Sequence, residues 1–288
     1  MASGAVLIAA KGLFAKSLYS MDMTYFDVAA VRSILAVPGF ALIAWFYQGK
    51  QSMTQGKLEP KHLILAAFSG LLCYYAGATA NFYALTIIKA SVERPLLFAY
   101  PIFVVLITSA INRELPPPRV LFVLLLTSLG VILVTGALNV DLNSSQWSGM
   151  GWILFCSVTI AIYFLMSANL TQYLSSGLFT LVAMTAAAFG FLVHYQISQG
   201  WQSLSLTKET WITLMALVIF STVLPLALMA EGVRRVGASR AALISTVGPP
   251  ATAVMSYQLT GEILSIAQIL GVALIIVGIL GLEVRRGS

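Results

Sequence analysis

From Leu63 to Ile88 the chain reads LILAAFSGLLCYYAGATANFYALTII, a run without a single charged side chain. As a helix such a run is long enough to cross a hydrocarbon core of about 30 Å. Lipid offers the backbone no water to bond. The chain must therefore close its own hydrogen bonds, and runs of this length select helices over barrel strands. Comparable runs recur from end to end. Of the 288 residues, 59% are hydrophobic and only 9% charged, where a soluble domain carries about a quarter; the mean hydropathy is +0.92. The sequence reads as an all-α, polytopic integral membrane protein.

Turn and charge signals divide it into ten expected spans, near 3–20, 26–47, 62–88, 91–112, 119–138, 147–170, 177–199, 209–233, 240–260 and 264–284. The first run has neither a basic leader nor a small-residue cleavage pattern, so it is expected to stay as a span. QGKQSMTQGKLEPKH, NRELPPPR and DLNSSQWSG are the clearest breaks. Placing both termini in the cytoplasm puts Lys50, Lys57, Lys61, Arg113, Arg119, Arg234, Arg235, Arg240, Arg285 and Arg286 inside, against Lys16, Lys89, Arg94 and Lys208 outside. This positive-inside bias supports an even number of spans in the cytoplasmic (inner) membrane. The net charge of +6 is dispersed over helix ends, which argues against a nucleic-acid partner. Cys73 and Cys156 both fall in apolar runs, so neither a disulfide framework nor a metal site is expected.

The segment ASVERPLLFAYP, Ala90 to Pro101, returns as ASRAALISTVGP, Ala238 to Pro249. The same shift of 148 residues carries Glu114 onto Glu262 and Gly130 onto Gly278. The chain therefore reads as one five-helix unit used twice, residues 1–140 and 141–288. Because five is odd, the second copy enters the membrane upside down. Inverted repeats of this kind build carriers whose sites lie near the midplane at interrupted helices. A proline inside a span frees a carbonyl, so Pro101 and Pro249 are expected to kink spans four and nine beside a central cavity.

Three stretches carry a family resemblance: DVAAVRSILAVP, FYALTIIKASVERPLLFAYPIFVVLITSAINRELP, and GVRRVGASRAALISTVGPPATAVMSYQLTGEILSIAQILGVALIIVGILGL. They resemble the EamA type of the drug/metabolite transporter superfamily, in which each half ends with an Ala-Ser step, a central Pro, a Glu and a Gly-bearing last helix. The resemblance implies a ten-helix carrier that moves a small metabolite, amino acid or amphiphilic drug by alternating access, often as an exporter. One departure is Lys11-Gly12, where the family usually has Trp-Gly.

Lys11 lies near the middle of the first span, about 10 Å from either interface at 1.5 Å per residue. A charge at that depth is a functional candidate by default. It suits a carboxylate on the substrate or an exchangeable proton. Trp152, Cys156, Thr159 and Tyr163 are spaced along one helix face, as are Tyr74 and Asn81, and Ser245 and Thr252. With Tyr100 before Pro101, the candidate substrate-binding residues are Lys11, Tyr74, Asn81, Tyr100, Thr159, Tyr163 and Ser245. Each alone also reads as helix packing; as a set they outline a lined cavity. Asp27, Arg32, Glu93 and Arg94 are candidates for an outer gate, and also suit helix-end solvation. Glu231 is expected to pair with Arg234 and Arg235. A small-residue face at Gly130 and Ala137 would let two copies pair, so monomer and homodimer both stand. Proton coupling, exchange with a counter-solute and uniport fit these residues equally. No convergent nucleophile, base or ligand set speaks for an intramembrane enzyme, and no cofactor is implied. Short loops argue against a receptor or scaffold.

Overall fold

The computed structural model describes residues 2–9, 11–48, 58–88, 96–135, 144–198, 207–248, 250–251 and 265–283. Among these residues there is no strand. The helices are α1 (Ala2–Ala9), α2 (Lys11–Tyr19), α3 (Tyr25–Gln48), α4 (Pro60–Gly70), α5 (Ala78–Ile87), α6 (Tyr100–Asn112), α7 (Pro118–Thr135), α8 (Ser144–Leu170), α9 (Ser176–Ser198), α10 (Lys208–Val218), α11 (Leu224–Val236), α12 (Ala238–Ile244) and α13 (Ile266–Glu283). Wider π-helical turns, Leu71–Gly77 and Ile219–Val223, join α4 to α5 and α10 to α11 without breaking the rod. Five stretches are long and apolar enough to cross a bilayer: Tyr25–Phe46, Pro60–Ile87, Trp147–Leu170, Ser176–Ile197 and Lys208–Val236. The other expected spans take the form of shorter helices within the described residues.

Local chemistry sets the helix starts. Pro60 opens α4 behind a reciprocal cap between Glu59 and His62, whose Nδ1 accepts from the Glu59 N–H at 3.1 Å. Thr207 caps α10 by accepting from the Thr210 N–H at 3.2 Å. Thr24 caps α3: its hydroxyl oxygen accepts from the Asp27 N–H at 3.1 Å, while the Asp27 carboxylate accepts from the Thr24 N–H at 3.1 Å. This reciprocity satisfies two backbone donors that the first turn of a helix leaves orphaned. Between α11 and α12, Gly237 takes φ +81°, a conformation that glycine adopts without steric cost.

The structure repeats at the offset read from the sequence. Pro60 and Lys208 begin α4 and α10, Leu71 and Ile219 begin the π turns, and Pro118 and Ile266 begin α7 and α13, each pair 148 residues apart. Helices α7 and α13 pack along one another. A methyl placed on Gly130 would come within 2.7 Å of Ile275 Cγ1, and one on Gly278 within 2.7 Å of Thr127 Cγ2. Thr127 and Ile275 are also 148 apart, so the two contacts exchange under the shift. That reciprocity is the signature of a two-fold relation. It also uses the Gly130 face inside the chain, which removes it from the dimer contact expected from sequence.

Two prolines bear on the expected kinks. Pro101 is buried in the first turn of α6; Leu96 and Leu97 are helical, Phe98 and Ala99 form a turn, and helix resumes at Tyr100, so the helical path is interrupted just before the proline. A ring with no N–H and a fixed φ is favoured where the backbone donor has no helical partner, so the proline starts the helix. Pro249 lies outside the described residues. Trp45, Phe46, Ile64, Leu125 and Ile276 stand exposed on the periphery, the side a bilayer would cover.

Candidate functional site

Polar side chains gather about Arg32 of α3, which reaches Thr222 on the second π turn and has Tyr74 of the first as an electrostatic neighbour. A π turn inserts an extra residue and shifts the helix register, and such turns recur at functional sites. From α2, Lys11 donates through Nζ to Asn81 Oδ1 at 3.3 Å, and the same ammonium stands 4.6 Å from the Phe82 ring centre. Lys11 and Asn81, read from the sequence as separate candidates, thus make one contact beside Phe82.

Arg32 approaches the same ring, with Cζ 5.8 Å from its centre. It is only 4% exposed. Its guanidinium donates to Thr222 Oγ1 at 3.4 Å and to Ser33 Oγ at 3.5 Å, while Nε has no hydrogen-bond partner. Tyr74 and Cys73 on the first π turn are its electrostatic neighbours. Thr222 belongs to the second π turn and stands 148 residues after Tyr74, so Arg32 lies between repeat-equivalent residues. The two ring distances hold the Lys11 and Arg32 charges within about 10 Å of each other. At an effective dielectric of ~20 they repel by about 2 kcal/mol.

This placement corrects the outer-gate reading. Asp27 is committed to the α3 cap and makes no ion pair with Arg32. Five residues of helix set the two about 140° apart around the axis. Glu93 and Arg94 lie outside the described residues.

Tyr74 meets Tyr163 of α8 with ring centres 4.8 Å apart, and Tyr163 in turn meets Phe179 at 5.3 Å. The hydroxyls of both tyrosines and of Ser167, one turn beyond Tyr163, are buried without a partner at full hydrogen-bond geometry, those of Tyr74 and Tyr163 lying near each other. Thr159 is buried too, but its hydroxyl donates to the Cys156 carbonyl at 2.7 Å and its side chain fills the space beside Gly77. It serves packing. Trp152, on the same stripe by spacing, is 46% exposed and leaves the interior where α8 does.

Tyr100 and Ser245 form a second locus. Their hydroxyls hydrogen-bond each other across the two halves, and Ser245 also donates to the Ala242 carbonyl at 2.5 Å. Phe164, beside Tyr163, contacts the Tyr100 ring at 5.3 Å. An aromatic wall therefore links the two loci. The sequence reading missed Phe82, Thr222 and the central position of Arg32. The repeat offset from Tyr74 would have found Thr222.

Glu231 binds both expected arginines: Arg234 through two bonds of 2.8 and 2.7 Å, and Arg235 at 2.6 Å. Ser176 of α9 adds a bond of 2.7 Å to the same carboxylate. The cluster ties α11 to α9 near the helix end. Among the described residues no group of three metal-ligating side chains occurs.

The profile of the EamA-like transporter family matches residues 1–136 and again 147–283. The chain belongs to the EamA-like transporter family. It is thus a multi-pass membrane transporter of the drug/metabolite transporter superfamily. The uncharacterized transporter YcbK of Bacillus subtilis (strain 168) is 31% identical over 289 aligned residues, which cover 98% of this EamA-like chain and 91% of the relative. A solved crystal structure superimposes with a TM-score of 0.78 over 99% of this chain and 96% of its own, at 17% identity; it shares the fold.

Proposed function

We propose that this EamA-like transporter is a secondary carrier, working by alternating access and exporting a small organic solute across the cytoplasmic (inner) membrane. Ten helices form two inverted five-helix repeats, 1–140 and 141–288, around a central site, with both termini cytoplasmic. The observation that carries the reading is Arg32 standing between Thr222 and Tyr74 of the two repeat-equivalent π turns, over the same Phe82 ring as the Lys11–Asn81 contact. A site between related halves can be uncovered to either side by rocking one half against the other. The double match of the family profile supports the same duplication. Lys11, Asn81, Tyr74 and Tyr163 hold the solute, and the Tyr100–Ser245 bond between halves opens and closes with the cycle. A coupling proton or a counter-solute supplies the driving force, and the working unit is a monomer or a homodimer.

The test is uptake of labelled amino acids and amphiphilic amines and acids by proteoliposomes, with and without a pH gradient. Saturable flux that falls with Lys11→Ala is expected. Absence of flux for every solute, in protein shown to be folded, would overturn the carrier reading.

A further inference from the structure

We propose that Arg32 is the anchor for a negatively charged group on the solute, so that the carrier's substrates are organic anions with an apolar body, carboxylates above all. This deepens the carrier reading and rests on it.

A buried guanidinium needs partners. Arginine carries five N–H donors in a rigid fork and stays charged. In an apolar interior that charge is tolerated only when paired or fully hydrogen-bonded. Arg32 is neither. Its two bonds, 3.4 Å to Thr222 and 3.5 Å to Ser33, are longer than the usual 2.7–3.2 Å for N–H donors. Thr222 spends its own hydrogen on the Leu217 carbonyl at 3.2 Å, and Ser33 on the Ala29 carbonyl at 2.8 Å. Nε has no partner. Among the described residues, no carboxylate lies within the 4.0 Å of an ion pair with Arg32. Asp27, the nearest acid along α3, accepts from Thr24 instead.

Second, the surroundings suit an anion and repel a cation. Lys11 brings another positive charge to the same Phe82 ring. Tyr74 and Tyr163 add buried hydroxyls with hydrogens to donate. A carboxylate accepts two parallel bonds from the arginine fork and further bonds from such hydroxyls. An ammonium group would meet two like charges and would find no carboxylate paired with Arg32 to receive it, the buried acids Asp27 and Glu231 being held at the α3 cap and in the Arg234–Arg235 cluster. The rings of Phe82, Tyr163 and Phe179 supply apolar surface for the rest of the molecule.

Third, position fits a carrier. Arg32 bonds to Thr222 and neighbours Tyr74, the two residues related by the 148-residue shift. A group held there is within reach of both halves.

The experiment uses the purified full-length protein and four probes, each an apolar body with one polar end: 3-phenylpropanoate, hexanoate, 3-phenylpropanol and phenethylammonium. Thermal unfolding in detergent reads binding; flux of the same labelled solutes into proteoliposomes reads transport. The carboxylates are expected to raise the unfolding temperature, while the alcohol and the amine do not. Arg32→Gln should weaken carboxylate binding by at least about tenfold, and Arg32→Lys should retain part of it. The proposal is overturned if no probe stabilises the protein, if the amine or alcohol does so as well as the carboxylates, or if folded Arg32→Gln binds them unchanged. Should Arg32→Gln not fold, the ranking of probes on the wild type decides alone. Carboxylate binding without flux of any solute sinks the carrier reading and leaves the anion site standing. Amine flux with no carboxylate effect does the reverse.

Discussion

Tyr74 and Tyr163 pack ring against ring, 4.8 Å between centres at an angle of 52°, and their buried hydroxyls lie near each other without the distance and angle of a closed hydrogen bond. A buried hydroxyl without a partner is a cost to the fold. Removing it should therefore do the fold no harm. Tyr74→Phe and Tyr163→Phe are expected to unfold within about 1 kcal/mol of wild type or slightly above it, while flux of the transported solute falls. Tyr163→Ala, which deletes the ring, should cost about 3–5 kcal/mol. Thermal unfolding in detergent beside proteoliposome uptake separates the two effects. Stability lost in the phenylalanine variants would mean the hydroxyls hold the structure.

Close helix contacts make a second prediction. A methyl on Gly70 would collide with the Ala183 backbone, which cannot rotate away. A methyl on Gly130 would meet the Gly271 carbonyl oxygen at 2.8 Å as well as Ile275. Gly151, by contrast, has nothing within 4 Å. Gly70→Val and Gly130→Leu should abolish monodisperse protein in size-exclusion chromatography or lower stability by about 1–3 kcal/mol or more. Gly151→Ala should leave both unchanged. A Gly70→Val protein as stable as wild type would refute the α4–α9 contact.

How much of this was legible in the sequence follows from what periodicity encodes. Apolar length announces a membrane helix, so the long spans emerged unaided, their expected starts near 62 and 209 falling within two residues of Pro60 and Lys208. The 148-residue shift emerged because matched residues survive in order. Facing did not. Asp27 and Arg32 look like neighbours in a list of charges, but five residues of helix turn them apart, and only packing decides that Arg32 points inward. The first π turn, LLCYYAG, has no proline or charge to mark it; the second is followed by Pro225, the equivalent of Gly77, and still reads as ordinary helix. Thr159 and Trp152 share a stripe with Tyr163, yet one is spent on its own helix and the other leaves the bundle.

The Glu231 cluster predicts a ranking. The carboxylate is nearly buried and serves Arg234, Arg235 and Ser176, whereas the side chains of Arg234 and Arg235 are 34% and 69% exposed. An exposed ion pair is worth about 0–1 kcal/mol, but bonds to a shielded charged group are worth about 1.5–3 kcal/mol each. Glu231→Gln should therefore destabilise most, Arg234→Ala less and Arg235→Ala least. Thermal unfolding of the three variants at low ionic strength checks the order. Equal effects would mean that the cluster acts as general surface charge.

The inverted orientation of the halves is tested at the two equivalent helix starts. Pro60 and Lys208 open α4 and α10 at the 148-residue offset, with Lys61 next to the first. If the second half is upside down, residues at these starts must face opposite sides of the membrane. Lys61 is 65% exposed and Lys208 is exposed as well, so a cysteine at either place is open to reagent. The native Cys73 and Cys156 are buried and give little background. In intact cells a membrane-impermeant maleimide is expected to label Lys208→Cys, and Lys61→Cys only after permeabilisation. Labelling of both from one side would refute the inversion. The opposite pattern would keep it and reverse the orientation inferred from the positive charges, turning the expected cytoplasmic termini outward.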